Sequence, residues 1–378
     1  MSKRILLAMS GGVDSSVAAL LLQRDGYDVT GVFMRHGEES ASSCKIESTG
    51  ENPLLPILQG RTDHKQGCCS ASDALDARRV ADRLSIPFYA LDMQSDFKRI
   101  VDYFVEEYRS GRTPNPCVQC NNWIKFGRLF EYADGIGASH VATGHYARIL
   151  PTGEPKSPFG IFRGIDDGKD QAYVLAGIDR SFLPRMMLPI GGYHKSEIRA
   201  LAAEVGLRVA NKKDSQEICF VTSGRHGEFV RQRSIEDSSG EIVTTEGKVV
   251  GTHSGIESFT IGQRKGLGVA MHEPYFVTEI DREHHRIVIG RKESLRRTKL
   301  FAKDDNWLCD APFGVSIAAS VQIRYNSAPE PATVVRCPNR TFEVTFDDPI
   351  EGVAPGQLAV VFLEDRVLGG GWIDRAER

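Results

Sequence analysis

The chain has 378 residues, 41% hydrophobic and 26% charged, which excludes a disordered or fibrous chain and allows two or three domains. Lys and Arg number 47 against 50 Asp and Glu, a formal charge of −3, so no global basic excess marks a nucleic-acid binder, although a local basic surface stays open. No stretch approaches the ~20 apolar residues of a membrane span, and no secretion signal precedes the first glycines. The expectation is a cytoplasmic chain without membrane contact, whose eight cysteines are reactive or packed and not disulfide-bonded.

Residues 3–9 form a continuous apolar run, a buried strand broken by Gly11 and Gly12. Residues 13–24 carry apolar side chains at helical spacing (Val13, Val17, Leu20, Leu21), and 28–34 read as a second strand. A helix over 72–84, a strand over 86–91, a helix over 97–108 and a strand over 140–143 continue the alternation. Alternating strands and helices imply βαβ units and a parallel sheet. Residues 36–66 interrupt this with a polar stretch of about thirty residues, too long for an ordinary connector, and it reads as mobile. After Asp170 the pattern is helical to about 206, clearest over 195–205. From about 239 it changes to short alternating strands at 241–245, 249–251, 275–280, 286–289, 315–324, 332–336, 341–346 and 358–362. That is an all-β tail, a small module and then a barrel.

Ser10-Gly11-Gly12-Val13-Asp14-Ser15-Ser16 lies between the first strand and the first helix. Parallel sheets bind ligands at such strand C-termini, where glycines let backbone N–H groups approach phosphate and the helix N-terminus favours anions. Two glycines alone would mean only a tight capped turn. The string lacks the Walker and dinucleotide patterns. The full string SGGVDSS resembles the signature of the PP-loop pyrophosphatases, which split ATP between the α- and β-phosphates and adenylate a carbonyl oxygen. That resemblance implies Mg²⁺ held near the pyrophosphate with help from Asp14.

Cys117 and Cys120 form a Cys-x-x-Cys pair inside RTPNPCVQCNNWIKF. Pro114 and Pro116 argue against helix before the pair, and the apolar spacing of 123–130 suggests helix after it. A thiol at a helix N-terminus has a depressed pKa. Cys219 lies in KKDSQEICF, where Lys212 and Lys213 are available to favour a thiolate. A structural zinc site usually needs four ligands from two such pairs; only one pair exists, and Cys68 and Cys69 are adjacent. Cys44, Cys309 and Cys337 read as packed and inert. Cys117, Cys120 and Cys219 remain as a reactive set or as three thiolate ligands of an iron–sulfur site.

With SGGVDSS, RTPNPC..CN..IKF, ATGHYAR, KDQAY, KKDSQEICF and IGQRKGLG in this order, the chain resembles the tRNA-specific 2-thiouridylases from Arg4 to Gly371. These enzymes put sulfur on the wobble uridine of certain tRNAs. The resemblance implies an α/β PP-loop domain with a parallel sheet, then a small mostly β central domain, then a C-terminal β-barrel, placed at 1–206, 207–292 and 293–378. It implies ATP contacts from Ala8, Met9, Ser10, Gly11, Gly12, Val13, Asp14, Ser15, Met34 and Gly144. Cys219 would carry a persulfide and Cys120 would resolve it. Asn115, Pro116 and Cys117 would lie by the target base. His145, Lys169, Asp170, Gln171, Arg324, Tyr325 and Gln357 would contact tRNA through its anticodon stem-loop. A persulfide-carrying donor protein or a cysteine desulfurase would supply sulfur.

Taken by themselves, these positions say less. His145 reads as a satisfied core or surface residue, Asp170 as a helix cap, Arg324-Tyr325 as a strand end suited also to phosphate contact and base stacking, and 263–266 as a solvated turn. One position departs from the family. Many members carry Asp, given a proton-transfer role, where this chain has Cys117. The extra thiol resembles related sulfur-inserting enzymes that hold a [4Fe–4S] cluster on three thiolates. Two sulfur routes therefore stand open, a Cys219 persulfide with Cys120 or a cluster on Cys117, Cys120 and Cys219. The rival class is a PP-loop ligase that adenylates tRNA and then uses an amine.

Overall fold

The computed structural model describes residues 3–35, 71–214, 218–221, 226–234 and 236–378. The 36–66 stretch with Cys44, and Cys68 and Cys69, lie outside the described residues. Strand β1 (Arg4–Ala8), helix α1 (Val13–Arg24), β2 (Asp28–Arg35), α2 (Ala71–Leu84), β3 (Phe88–Asp92) and α3 (Gln94–Arg109) follow the expected alternation. Apart from its ends, β1–β2 is buried on both faces, as a central parallel pair must be. Ile5 and Leu7 face α1 and α2, while Leu6 and Ala8 face α3.

The expectation of no helix before the cysteine pair fails. Helix α4 (Pro116–Gln119) begins at Pro116 and runs into a helical stretch with π-type hydrogen bonding, Cys120–Arg128, and then α5 (Leu129–Gly135). Proline is tolerated at the first helical position because its missing N–H has no partner there anyway. Asn115 caps the turn, its Oδ1 accepting from Val118 N at 3.3 Å. Both Cys117 and Cys120 are therefore helical.

Strand β4 (His140–Ala142) joins β1. A hairpin, β5 (Ala147–Glu154) and β6 (Ser157–Arg163), follows where no strand was expected. The helical reading of 170–206 holds only for α6 (Lys195–Glu204); before it come two short 3₁₀ turns and a two-residue strand, β7 (Met186–Met187). Pro184 and Pro189 interrupt the helical period there. The parallel sheet has the order β3-β2-β1-β4-β7, so its winding reverses between β1 and β4. Leu207, Val209 and Ala210 still pack in the core of α1 and α6.

After α7 (His226–Arg231), strands β8 (Gly240–Thr244), β9 (Val249–His253), β10 (Phe276–Asp281) and β11 (Arg286–Gly290) make a separate four-stranded sheet. Its own core includes Ile242, Ile256, Val277, Ile287 and Ile289. The last unit comprises β12 (Arg296–Trp307), β13 (Ser316–Gln322), β14 (Glu330–Cys337), β15 (Thr341–Glu351), β16 (Leu358–Leu363) and β17 (Arg366–Glu377). These close as a barrel in the order β12-β15-β14-β13-β16-β17, with β17 returning to β12. A Cβ at Gly369 would stand 2.5 Å from the carbonyl oxygen of Asn306, so the closing pair needs its glycine. Among the described residues no helix is long and apolar enough to cross a membrane.

The barrel is not a pendant module. Strand β17 also pairs with β6, through Arg366↔Phe162 and Val367↔Ile161. Leu358, Val360, Phe362 and Val367 enter the same core as α3, α5 and the cysteine helix. Phe362→Ala removes a fully buried ring from that shared core and should cost about 3–5 kcal/mol. Urea unfolding followed by Trp307 emission in the barrel and by far-UV signal should shift together. A shift in the barrel signal alone would mean the two cores unfold independently.

Candidate active site

The loop after β1 and the loop after β4 meet where the sheet reverses. Gly11 has φ +74°, and a Cβ there would lie 2.1 Å from the carbonyl oxygen of Asp73 on α2. A Cβ at Gly144 would lie 2.7 Å from Ser15 N. Both glycines are required because backbone packs on backbone. Ser15 Oγ accepts from Ser10 N at 3.1 Å, and Ser16 Oγ donates to Gly12 O at 2.7 Å, which folds the loop over the start of α1. Ala8, Met9, Ser10, Gly11, Gly12, Val13, Asp14, Ser15 and Gly144 thus gather in one place, with half-buried Met34 at the end of the neighbouring β2. The N-terminus of α1 opens there, a site of anion preference.

A charged network backs this loop, and sequence reading missed most of it. Lys195 Nζ, nearly buried, lies 2.7 and 2.8 Å from the two carboxylate oxygens of Asp14 and 2.8 Å from Asp214. Tyr146 donates its hydroxyl to Asp14 at 2.8 Å; burial, then the Asp14 charge, push that phenol far above its ordinary pKa and keep it a donor. Lys169 holds the other oxygen of Asp214 at 2.8 Å. Burial works against the Asp214 charge, but the bonds from Lys169 and Lys195 hold its pKa below the ordinary value.

Lys212 corrects an expectation. It does not serve the Cys219 thiolate: its Nζ donates to Asp73 at 2.6 Å, to Asp76 at 2.7 Å and to the Gly11 carbonyl at 2.9 Å. Burial opposes its charge, yet those carboxylates outweigh it and raise the ammonium pKa. Lys213 is exposed.

The three thiols occupy the other face of the sheet. Cys117 is exposed, while Cys120 and Cys219 are half-buried and pack against the core of α3 and α5. Phe220 anchors the Cys219 segment, edge-on to Phe97 at 5.4 Å and Phe104 at 5.1 Å. Asn121 Nδ2 donates to the carbonyls of Cys117 at 3.1 Å and Val174 at 3.3 Å. Among the described residues no three His, Cys, Asp or Glu side chains gather so as to hold a metal ion. Asp14 brings a carboxylate to the first turn of α1, a group of the kind that Mg²⁺ takes together with phosphate oxygens. Cys309 and Cys337 are packed as expected, their thiols bonded to the carbonyls of Leu368 and Val335.

The residues assigned to tRNA by resemblance divide into two sets. Tyr325 is 42% exposed and Cys117 is exposed, while Asn115 and Pro116 beside it are buried. The others are largely engaged within the protein. His145 is buried, its Nδ1 2.7 Å from Thr143 Oγ1 and its Nε2 3.4 Å from Lys125 Nζ. Asp170 accepts from Arg163 and from the backbone of Gly164 and Ala172; the cap position of the following 3₁₀ turn is Gln171, not Asp170 as expected. Gln171 Oε1 accepts from Tyr146 N at 2.9 Å. Arg324 donates to Ile261 O at 2.6 Å, joining the barrel to the middle unit. Gln357 Nε2 donates to the Thr113 and Pro114 carbonyls at 3.0 Å each, so the barrel clamps the loop before the cysteine pair. Arg264 and Lys265 are exposed, as a solvated turn should be.

Two outcomes follow from these contacts. Lys212→Met frees the Gly11 carbonyl and should weaken binding of a non-hydrolysable ATP analogue about tenfold, the cost of charge-assisted bonds, while the pH midpoint of Cys219 alkylation stays put. A moved midpoint with unchanged nucleotide affinity would restore the expected thiolate role. His145 is held neutral by burial and then by the Lys125 charge, well below its ordinary value of 6.5. The unfolded imidazole takes a proton below about 6.5 and the buried one does not, so stability is full above that pH and falls below it, by up to about 1.4 kcal/mol at pH 5.5. Urea midpoints at pH 7.5 and 5.5 should therefore differ less in His145→Gln than in the parent chain; equal differences would refute the burial argument.

Three family models cover the chain in succession: the tRNA methyl transferase HUP domain over residues 3–223, the tRNA methyl transferase PRC-barrel domain over 227–291 and the aminomethyltransferase beta-barrel domain over 297–373. The chain is 57% identical to the tRNA-specific 2-thiouridylase MnmA of Rhodopirellula baltica, an alignment covering 99% of this chain and 96% of that protein. Identity is 43% to the protein of the same name from Carboxydothermus hydrogenoformans, covering 99% and 98%. It is again 43% to that of Solibacter usitatus, covering 98% and 99%. The chain belongs to the tRNA-specific 2-thiouridylase family.

Proposed function

We propose that this enzyme uses ATP to replace the 2-oxo group of the wobble uridine in tRNA anticodons with sulfur, as a tRNA-uridine 2-sulfurtransferase. The observation that carries this is the glycine loop at the reversal point of the sheet, with Cys120 and Cys219 packed on one core beneath the same sheet. The family models carry a methyl-transfer description, but a phosphate-cradling loop and two thiols suit adenylation and sulfur transfer. The three units 1–206, 207–292 and 293–378 divide the work: the first holds nucleotide, Cys117 and Cys120, the second begins with the Cys219 segment that packs back on the first unit's core, and the third clamps the loop before Cys117.

ATP would lie against residues 8–15, Met34 and Gly144, and Asp14 would hold Mg²⁺, which would neutralise charge on the phosphates. The uridine O2 attacks the α-phosphate and pyrophosphate leaves. Lys195 and Tyr146 orient the Asp14 carboxylate during this step. The terminal sulfur of a Cys219 persulfide then attacks C2 of the adenylated base. Cys120 attacks the Cys219 sulfur, AMP departs with the former O2, and 2-thiouridine is released with a Cys120–Cys219 disulfide. An external thiol reduces that disulfide, and a persulfide-carrying protein or a cysteine desulfurase reloads Cys219. Asn115, Pro116 and Cys117 border the base, and Tyr325 offers a ring on which it stacks. No step is assigned to an iron–sulfur cluster.

An anaerobic assay with metal-stripped protein, ATP, Mg²⁺, unmodified tRNA and a persulfide donor tests this, its nucleosides read by mass spectrometry. 2-Thiouridine should form without iron. Cys120→Ala and Cys219→Ala should each lose on the order of 10³-fold, whereas Cys117→Ala keeps substantial activity. A strict need for iron and sulfide, with Cys117→Ala as inactive as the other two, would replace the persulfide route by a cluster. AMP release that depends on an amine, with no sulfur incorporated, would favour a PP-loop ligase.

A further inference from the structure

The turn that carries Tyr325 is held by side chains that begin in the first unit. Asp170 is nearly buried; its Oδ1 accepts from Gly164 N at 2.9 Å and Ala172 N at 3.1 Å, and its Oδ2 accepts from Arg163 Nη1 at 2.9 Å. Arg163 closes β6, its guanidinium carbon 3.9 Å from the centroid of the Phe362 ring. Its Nη2 donates to Gln322 Oε1 at 3.2 Å. Gln322 ends β13 with 4% exposure and donates from Nε2 to two carbonyls, Arg324 O at 3.0 Å and Tyr325 O at 2.9 Å. Ser327 closes the turn, its hydroxyl and its N–H donating to Arg324 O at 3.0 and 3.1 Å.

The orientation of the Gln322 amide is thus set from both sides. Its oxygen faces a guanidinium, which only donates, and its nitrogen faces two carbonyls, which only accept. At the end of this chain the Tyr325 ring lies 6.3 Å from the Tyr173 ring. Tyr173 stands next to Val174, whose carbonyl accepts from Asn121 Nδ2 of the cysteine helix at 3.3 Å.

We propose that Gln322, backed by Arg163, is a positioning residue for tRNA: it touches no substrate and fixes the backbone at Tyr325 so that the ring stands beside Tyr173, next to the cysteine helix. This rests on the reading of Tyr325 as a base contact. The relay crosses from the first unit's hairpin to the barrel, so it also fixes the barrel strand end relative to the cysteine helix. A methionine at 322 keeps the volume and removes every polar partner. Lysine at 163 keeps the charge and loses the fork that reaches Asp170 and Gln322 together.

A double-mutant cycle on affinity for an unmodified anticodon stem-loop RNA, read by fluorescence anisotropy, tests the assignment. Gln322→Met should weaken binding about tenfold in the parent chain, the effect of two or three lost buried hydrogen bonds, and less than about twofold in the Tyr325→Ala background. Affinity for an ATP analogue should not change. Arg163→Lys should show the same non-additivity, and it stands in if the methionine variant does not fold. Losses that add in full would overturn the relay and leave Gln322 a fold residue only. RNA binding by Tyr325→Ala equal to the parent's would instead overturn the base-contact reading, and the relay's purpose with it.

Discussion

Backbone-on-backbone contact between two glycine loops is the constraint on which the rest of the site depends. Gly11 packs on the carbonyl of Asp73, and Gly144 packs on the amide of Ser15. A side chain at Gly144 would part the two loops, and one at Gly11 would push the first loop off α2, so the mouth of the sheet would lose its shape. The order β3-β2-β1-β4-β7 makes this contact possible, because only at the reversal do the connections leave β1 and β4 toward opposite faces and open a crevice between them. Everything with chemistry is then arranged about that crevice. Helices α1 and α6 lie on one face with the carboxylate–ammonium network, and α3 and the cysteine helix lie on the other with the thiols.

The segment after α6 links the two faces. Lys212 holds the Gly11 carbonyl, Asp214 holds Lys195 and Lys169, and a few residues later Cys219 and Phe220 pack on the opposite core. One short stretch of chain therefore spans from the phosphate end of the site to its sulfur end. Lys212, which precedes the cysteine, acts on the nucleotide loop. Its charge is consumed by Asp73 and Asp76, two carboxylates on the same face as the loop. Position along the chain is a poor guide to electrostatic partnership when the chain crosses an edge of the sheet.

What sequence could and could not reveal follows from the range of the contacts. The first strand, its glycine turn and α1 were legible because each rests on local periodicity and on residues that only a turn tolerates. The cysteine pair was legible as chemistry but not as conformation, since the reading gave Pro116 its helix-breaking role and missed its tolerance at a helix start. Lys195 and Tyr146 carried no signal, because their bonds to Asp14 span 181 and 132 positions. The long strands β12 and β17 hid behind charged side chains and a glycine run, both of which suit barrel strands but break the period-two pattern. The hairpin β5–β6, with Pro151 and Gly153 inside it, resembled a loop.

That hairpin ties the barrel to the first domain. A thiol loop rich in proline has few backbone donors of its own, so its carbonyls at Thr113 and Pro114 need donors from elsewhere, and Gln357 supplies them. The barrel can do so only if its strands are held in register with the first domain. Pairing of β17 with β6 sets that register, and the Arg366–Glu154 and Arg148–Asp365 pairs brace it. These outer ion pairs are partly exposed and individually weak, whereas the apolar contact of Phe362 and Val367 with the first domain's core is not. The geometry at Cys117 and Cys120 is thus fixed by a hydrophobic junction formed more than two hundred positions downstream of them, with hydrogen bonds choosing the register and apolar burial providing most of the energy.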